Sequence, residues 1–200
     1  MKIHDIDQRT PEWDALRAGR LTASLASKLV TPTGKASTQY KGEIARIIAE
    51  RMGLQEPEFL KPTYWMERGV QMEEEARKWF ELETDFDTLP VGFITDDSDY
   101  IGASPDALIG MKIPLELKVP KPSTHIKWLL EGGLPKDHIA QVHFQMVLCE
   151  SDVAYFSSYC PDVRPLIVRV EWSKYTDLMK DKIEVYKSEF EDAWEEVCQS

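Results

Sequence analysis

Charged side chains interrupt an apolar stretch near the middle of this 200-residue chain, and that stretch limits what the rest can build around it. In Ile113-Pro114-Leu115-Glu116-Leu117-Lys118-Val119 the apolar residues fall at 113, 115, 117 and 119. This is the two-residue period of a strand, so Glu116 and Lys118 project together from one side of it. Upstream, Ser104-Pro105-Asp106 leads into Ala107-Leu108-Ile109, a second strand-like run, and Gly110-Met111-Lys112 reads as the hairpin turn between the two. Pairing these strands sets Asp106 beside Glu116. Two carboxylates facing one point form a hard oxygen site suited to Mg²⁺ or Mn²⁺, and such ions polarise a phosphodiester and lower the pKa of bound water. Lys118 then orients or helps deprotonate the attacking water, or neutralises charge developing on phosphate. An E-x-K triplet alone usually marks a solvated strand face. The Pro-Asp at a hairpin's distance, with both elements apolar, turns the reading toward metal-dependent phosphodiester cleavage.

Two helices add polar groups to that centre. On the helix expected over 64–83, Glu73 shares a face with Gly69, Val70, Ala76 and Phe80, while Glu74 and Glu75 point roughly 100° and 200° away. A carboxylate in an apolar stripe requires a cation or a metal, because isolated burial costs several kcal/mol. Glu73 is therefore a third acid of the site; the competing reading pairs it with Arg77, four residues on. On the helix expected over 137–149, His138, Gln141 and Gln145 share one side and the rest is apolar. A helix this apolar is buried and its polar stripe needs partners. A site wall against water or phosphate supplies them, and bonds to backbone or to a protein interface would do so equally well.

The remaining alternation of elements implies an α/β fold in one domain spanning 1–200. Thr10-Pro11-Glu12 opens a short helix to about Gly19, Thr22-Ala23-Ser24 another to about Val30, and residues 31–38 form a loop. Ser37 or Thr38 caps a helix ending at Met52, with Gly53 as its stop, and 54–63 is an extended connector. Strands are expected near 89–94, 100–103, 107–109, 113–119, 153–159 and 165–171, and further helices over 122–131 and 173–197. No apolar run approaches the roughly 20 residues that span a bilayer, and the first residues lack a signal-peptide apolar region, so a cytoplasmic protein is expected. Cys149, Cys160 and Cys198 share no CxxC spacing and read as free thiols. The net charge of −11 runs against contact with nucleic acid, but it is unevenly spread. Residues 1–62 and 108–148 each carry +2, whereas 63–107 carry −9 and 149–200 carry −6. A basic channel built from the first and third segments is compatible with that distribution, and a divalent ion offsets part of the acid in the second.

Taken in order, several blocks resemble the phage lambda exonuclease or YqaJ-type viral recombination exonucleases, within the PD-(D/E)xK nucleases. They are Trp13-Asp14-Ala15-Leu16-Arg17-Ala18-Gly19 with Thr22-Ala23-Ser24, Arg68-Gly69-Val70-Gln71-Met72-Glu73 with Ala76-Arg77, Ser104-Pro105-Asp106, Leu115-Glu116-Leu117-Lys118 and Ala140-Gln141-Val142. Each block is weak alone, and the ordered set, over roughly residues 11–160, is specific. The resemblance implies a restriction-endonuclease-like core, a mixed central sheet flanked by helices. It also implies Mg²⁺-dependent, processive 5′ to 3′ digestion of one strand of linear double-stranded DNA to mononucleotides, the 3′ single-stranded tail passing to a single-strand annealing protein. By position, Asp106, Glu116 and the Leu117 carbonyl would bind metal, Glu73 would support that site, and Lys118 and Gln141 would handle the attacking water. Arg17, Ser24 and Ser104 match residues that hold a terminal 5′-phosphate, with Lys35 the candidate for a further basic contact from the 31–38 loop. A toroidal homotrimer around DNA is implied as well. The chain departs from lambda exonuclease at His138, where that enzyme has Tyr, and Trp13 is either a wedge against the terminal base pair or an anchoring core aromatic. Two other classes stay open: an endonuclease on the same fold, restriction-like or structure-specific, and a catalytically idle module that binds DNA ends or a partner.

Overall fold

The computed structural model describes residues 1–55 and 63–198. In chain order it contains β1 (Lys2–His4), α1 (Pro11–Arg17), β2 (Leu21–Thr22), a 3₁₀ segment (Ala23–Lys28), α2 (Lys41–Arg51) and α3 (Tyr64–Thr84). There follow β3 (Thr88–Pro90), β4 (Phe93–Thr95), β5 (Ile101–Ala103), β6 (Ala107–Ile109), β7 (Ile113–Lys118), α4 (Pro122–Glu131), α5 (Lys136–Leu148), β8 (Val153–Cys160), β9 (Val163–Glu171) and α6 (Lys174–Cys198). Among the described residues no helix is long and apolar enough to cross a membrane.

The α/β class holds, with a mixed sheet flanked by helices, and the strands divide between that sheet and a second, smaller mixed one. The larger has the order β3-β6-β7-β8-β9 and the smaller β1-β4-β5-β2. One expected strand, 89–94, explains the division. It divides at Val91-Gly92 into β3, which pairs with β6, and β4, which pairs with β1 and β5. Gly92 permits the break because a Cβ there would run into the carbonyl oxygen of Ile6. The three residues of β1 are too few to show an alternation in the sequence.

The central hairpin forms in the register its pattern requires. Ala107 faces Leu115 and Ile109 faces Ile113, and one further step sets Asp106 opposite Glu116. Gly110 and Met111 both take left-handed φ, +59° and +63°, which suits a tight turn whose twist matches the flanking strands. On its other edge β7 runs parallel to β8, so the chain must cross between them. α4 and α5 make that crossing.

Burial of α5 follows from its composition: Ala140, Val142, Phe144, Met146 and Leu148 are all buried, against the sheet on one side and α6 on the other. α6 answers with Thr176, Met179, Ile183, Tyr186 and Phe190, at the alternating three- and four-residue spacing of an amphipathic helix. His143 is buried between them, its Nδ1 2.8 Å from Thr176 Oγ1, and burial pushes its pKa down to about 4. At the chain's start Thr10 caps α1 as expected, accepting a bond from the Trp13 amide at 3.3 Å. α2 begins at Lys41, later than expected, because Ser37 is held in the preceding loop by its amide bond to the Leu29 carbonyl at 2.8 Å. The expected connector 54–63 lies largely outside the described residues.

Gly92→Ala is expected to destabilise the protein by about 2 kcal/mol or more, since the backbone of the Ile6 segment must move to admit a methyl group. Chemical denaturation checks this, and an unchanged midpoint would contradict the packing described.

Candidate active site

Glu116 lies in the middle of β7 with its residue only 2% exposed, flanked by β6 on one edge and β8 on the other. A carboxylate so placed persists only if every lone pair is occupied. α5 supplies two of the partners: Gln141 Nε2 donates to Oε1 and Gln145 Nε2 to Oε2, both at 2.7 Å. The spacing of four residues sets both amides on one face of α5, above the strand. Lys118, two residues along β7 and on the same side, closes an ion pair with Oε1.

Asp106 stands at the entrance to β6 and is tied to β7 twice. Its amide donates to the Leu115 carbonyl at 3.0 Å, and its Oδ2 accepts from the Leu117 amide at 2.6 Å. The Lys118 ammonium therefore meets three oxygens at once: Glu116 Oε1, Asp106 Oδ2 at 3.8 Å and the Leu117 carbonyl at 3.0 Å. These oxygens belong to the three groups that the family resemblance implies as metal ligands. Burial, with the charges of Glu116 and Glu73 nearby, pushes the Asp106 carboxyl up to about 7 against the pull of Lys118. At Lys118 burial is outweighed by the Glu116 and Asp106 carboxylates, which raise its pKa, so it stands as an ammonium.

The donor set fits a hard cation. An ammonium already occupies the point where three oxygens converge, the neighbouring acids outnumber it, and Gln145 Oε1 is buried with no donor among the described residues. Among those residues no three His, Cys, Asp or Glu side chains gather on one point, so an ion would be held by two carboxylates and a backbone carbonyl. Glu73 stands apart from that set. It faces the site from α3 and pairs with Arg9, whereas Arg77 pairs with Glu81 at 2.7 Å. The competing reading of Glu73 as Arg77's partner thus fails, and its cation comes from a residue 64 positions away.

A second group of polar side chains lies beside Asp106, organised by Trp13. The indole N–H is shared between Ser104 Oγ at 2.8 Å and the Gly92 carbonyl at 3.1 Å, and the Arg17 guanidinium sits over the ring, 4.0 Å from its centre. Trp13 is half-buried and fixed by these bonds. Arg17 meets no carboxylate within ion-pair distance among the described residues, while Arg20, three residues on, is taken by Asp99 at 2.7 Å. Because β2 and β5 are parallel, with Thr22 level with Gly102, they leave the sheet at the same end and deliver Ser24 and Ser104 to one edge. Ser24 is exposed, 2.8 Å from Thr22 Oγ1. Lys35 is not bonded to this group among the described residues: its loop docks on the start of α6, where the Tyr175 hydroxyl donates toward the Val30 and Thr31 carbonyls at 3.2 and 3.0 Å. His138 packs against Trp128 and Phe156, at ring separations of 5.4 and 5.2 Å, and burial holds its pKa below the usual imidazole value.

Arg9 escaped the sequence reading, and so did the particular partner of Gln145. Gln145 was visible as part of a polar stripe, but which acid it served depended on the crossing between β7 and β8. Arg9 lies in a loop and carries no periodic signal.

The fold has relatives among exonucleases. The family model described as YqaJ-like viral recombinase domain matches residues 12–152, and the chain belongs to that family. Its structure is similar to an alkaline exonuclease, LHK-Exo, from Laribacter hongkongensis: 26% identity, 95% of this chain and 97% of the other covered, TM-score 0.78. The same enzyme in complex with dAMP matches at a TM-score of 0.77, also with 26% identity and with 95% and 97% of the two chains covered. A phage-related exonuclease from Haemophilus somnus 129PT shares the fold at 13% identity and TM-score 0.60, over 89% of this chain and 96% of that one. No curated protein sequence matches the chain.

One consequence is measurable without activity. The Asp106 carboxyl binds its proton up to about pH 7 in the folded protein, against an ordinary value of 3.8. The folded state therefore holds more protons across that window, and stability falls as pH rises through it. In EDTA, Asp106→Asn is expected to lose this part of the pH dependence and to exceed the wild type in stability at pH 8. Urea denaturation at pH 5 and pH 8 compares the two, and parallel pH profiles would contradict the assignment.

Proposed function

We propose that the protein is a Mg²⁺-dependent 5′ to 3′ exonuclease that degrades one strand of linear double-stranded DNA to mononucleotides, Mn²⁺ substituting for Mg²⁺. The observation that carries this reading is the convergence of Asp106, Glu116 and the Leu117 carbonyl on the Lys118 ammonium, in a chain of the YqaJ-like family. Asp106, Glu116 and the Leu117 carbonyl would hold the ion, which supplies polarisation of the phosphodiester and a lowered pKa for attacking water. Gln141 and Gln145 keep Glu116 oriented, because both of its oxygens accept amide hydrogens. Lys118, held as an ammonium by its neighbours, acts as a donor: it orients the nucleophile and neutralises charge on the phosphate, and it does not accept the nucleophile's proton in that state. Gln141, at the same position, helps to order the water, and Glu73 adds negative field that favours a cation at the site.

Arg17, Ser24 and Ser104 would receive the terminal 5′-phosphate. The support is that Arg17 is half-buried and meets no acid within ion-pair distance among the described residues, and that Trp13 occupies an acceptor position of the Ser104 hydroxyl, leaving its hydrogen to be donated outward. Lys35 takes a lesser part, reaching the phosphate only if its loop leaves Tyr175. Processive digestion by a toroidal homotrimer, working in the cytoplasm and passing the 3′ tail to a single-strand annealing protein, completes the proposal. A closed ring retains DNA without a strongly basic surface, which suits a net charge of −11.

Linear duplex labelled at the 5′ or 3′ end of one strand, with a closed circle as control, tests the direction. Mg²⁺-dependent release of 5′ label as mononucleotide is expected, and cutting of the circle would move the assignment to an endonuclease. Asp106→Ala and Lys118→Ala are each expected to lower turnover at least about 10³-fold with the fold retained; near-normal rates would refute the site. Arg17→Ala should abolish the preference for phosphorylated over hydroxyl 5′ ends, and an unchanged ratio would remove Arg17 from the pocket.

A further inference from the structure

Two clefts open on either side of Asp106 and Glu73, of about 590 and 650 Å³, and Arg9 lines both. The first runs between the Ile3–Arg9 segment and the β3 edge; the second runs along α3 toward Lys121 and Thr124 at the start of α4. The Arg9–Glu73 pair stands between them. In the first cleft Arg9 is the one Lys or Arg among the described lining residues, against the carboxylates of Asp5, Asp7, Glu73 and Asp106. A polyanion cannot enter such a cleft except beside that guanidinium.

Arg9 is also firmly mounted. Its φ is +67°, a conformation that costs a residue with a side chain of the order of 1 kcal/mol and persists only where neighbours enforce it. Gln8 does the enforcing: its amide donates to the Val91 carbonyl at 2.7 Å and to the carbonyl of Pro105, the residue before Asp106, at 3.1 Å. The backbone that carries Arg9 is thus pinned directly to the backbone that carries Asp106. The Arg9 side chain remains 42% exposed and among the described residues has one bond, from Nη2 to Glu73, so toward those residues most of its fork of donors is uncommitted.

We infer that Arg9 is a phosphate-binding residue for the strand being cut, exchanging the Glu73 carboxylate for a backbone phosphate as DNA occupies the two clefts. This rests on the exonuclease reading above. The exchange swaps one charge-assisted bond for another, so it costs little, and it joins the two clefts only when substrate is present. A guanidinium is suited to the task because its planar fork binds carboxylate and phosphate with the same geometry.

The test uses the full chain with a 5′-phosphorylated duplex. Binding is measured in Ca²⁺ over a salt series, and kinetics in Mg²⁺, for wild type, Arg9→Ala, Arg9→Lys and Arg9→Gly, the last relieving the left-handed strain so that loss of fold does not intervene. Loss of one phosphate contact should reduce the slope of log affinity against log salt by about 0.7–0.9 in Arg9→Ala and Arg9→Gly. KM is expected to rise roughly tenfold with kcat within about threefold, and Arg9→Lys should recover most of the slope. Unchanged slope and KM, with wild type binding DNA, would overturn the role of Arg9 alone. A fall in kcat at constant KM would also overturn it, showing that Arg9 acts only through Glu73. A wild-type protein that does not bind DNA would overturn the exonuclease reading itself.

Discussion

A carboxylate buried in the central strand of the larger sheet is the constraint on which the rest depends. Glu116 is 2% exposed, and a carboxyl group at that depth is tolerable only with every oxygen engaged. Lys118 comes from the same strand, so β7 must be extended; Gln141 and Gln145 come from one face of α5, so the crossing helix must lie over β7. Much of the architecture follows from meeting those demands. α6 covers the outer side of α5, and Asp106 can reach the Leu117 amide because the hairpin turn at Gly110-Met111 holds β6 in register.

Electrostatically the centre is poised, with acids in excess of base. Glu73, Asp106 and Glu116 face Lys118 and Arg9, and burial together with that excess of acid pushes the Asp106 carboxyl up to about 7. A divalent cation would relieve it, and a phosphate would compete with Glu73 for Arg9. The −11 net charge is therefore compatible with action on a polyanion, because acid concentrated at the centre is matched there by groups that an ion or a phosphate can reorganise.

How much of this was readable beforehand depended on the distance over which each signal acts. The Asp106, Glu116 and Lys118 arrangement was legible because it lies within one hairpin, where a period of two and a turn fix geometry locally. The α3, α4, α5 and α6 helices were legible to within a residue or so, because apolar stripes at helical spacing are strong in long segments. The division of the strand at Gly92 was not, since it depends on the backbone of Ile6, more than eighty residues away in sequence. Nor was the pairing of Glu73 with Arg9: the nearest base in sequence was Arg77, but the helix offers it Glu81 as well, and a loop arginine supplies Glu73 instead. Trp13 was ambiguous as a residue type, and a residue type alone does not show what its indole touches. For Lys35 the sequence offered a charge in a loop, and the docking of that loop on Tyr175 places it away from Arg17.

The account stands on the oxygens of Asp106, Glu116 and Leu117 forming a cation site that Lys118 now fills. Anomalous diffraction at the manganese edge from crystals soaked in Mn²⁺ addresses this most directly. A peak bounded by the Asp106 and Glu116 carboxylates and the Leu117 carbonyl, with the Lys118 ammonium moved off that point, is the expected result. A peak elsewhere, or none there with Lys118 still bridging the two acids, would contradict it.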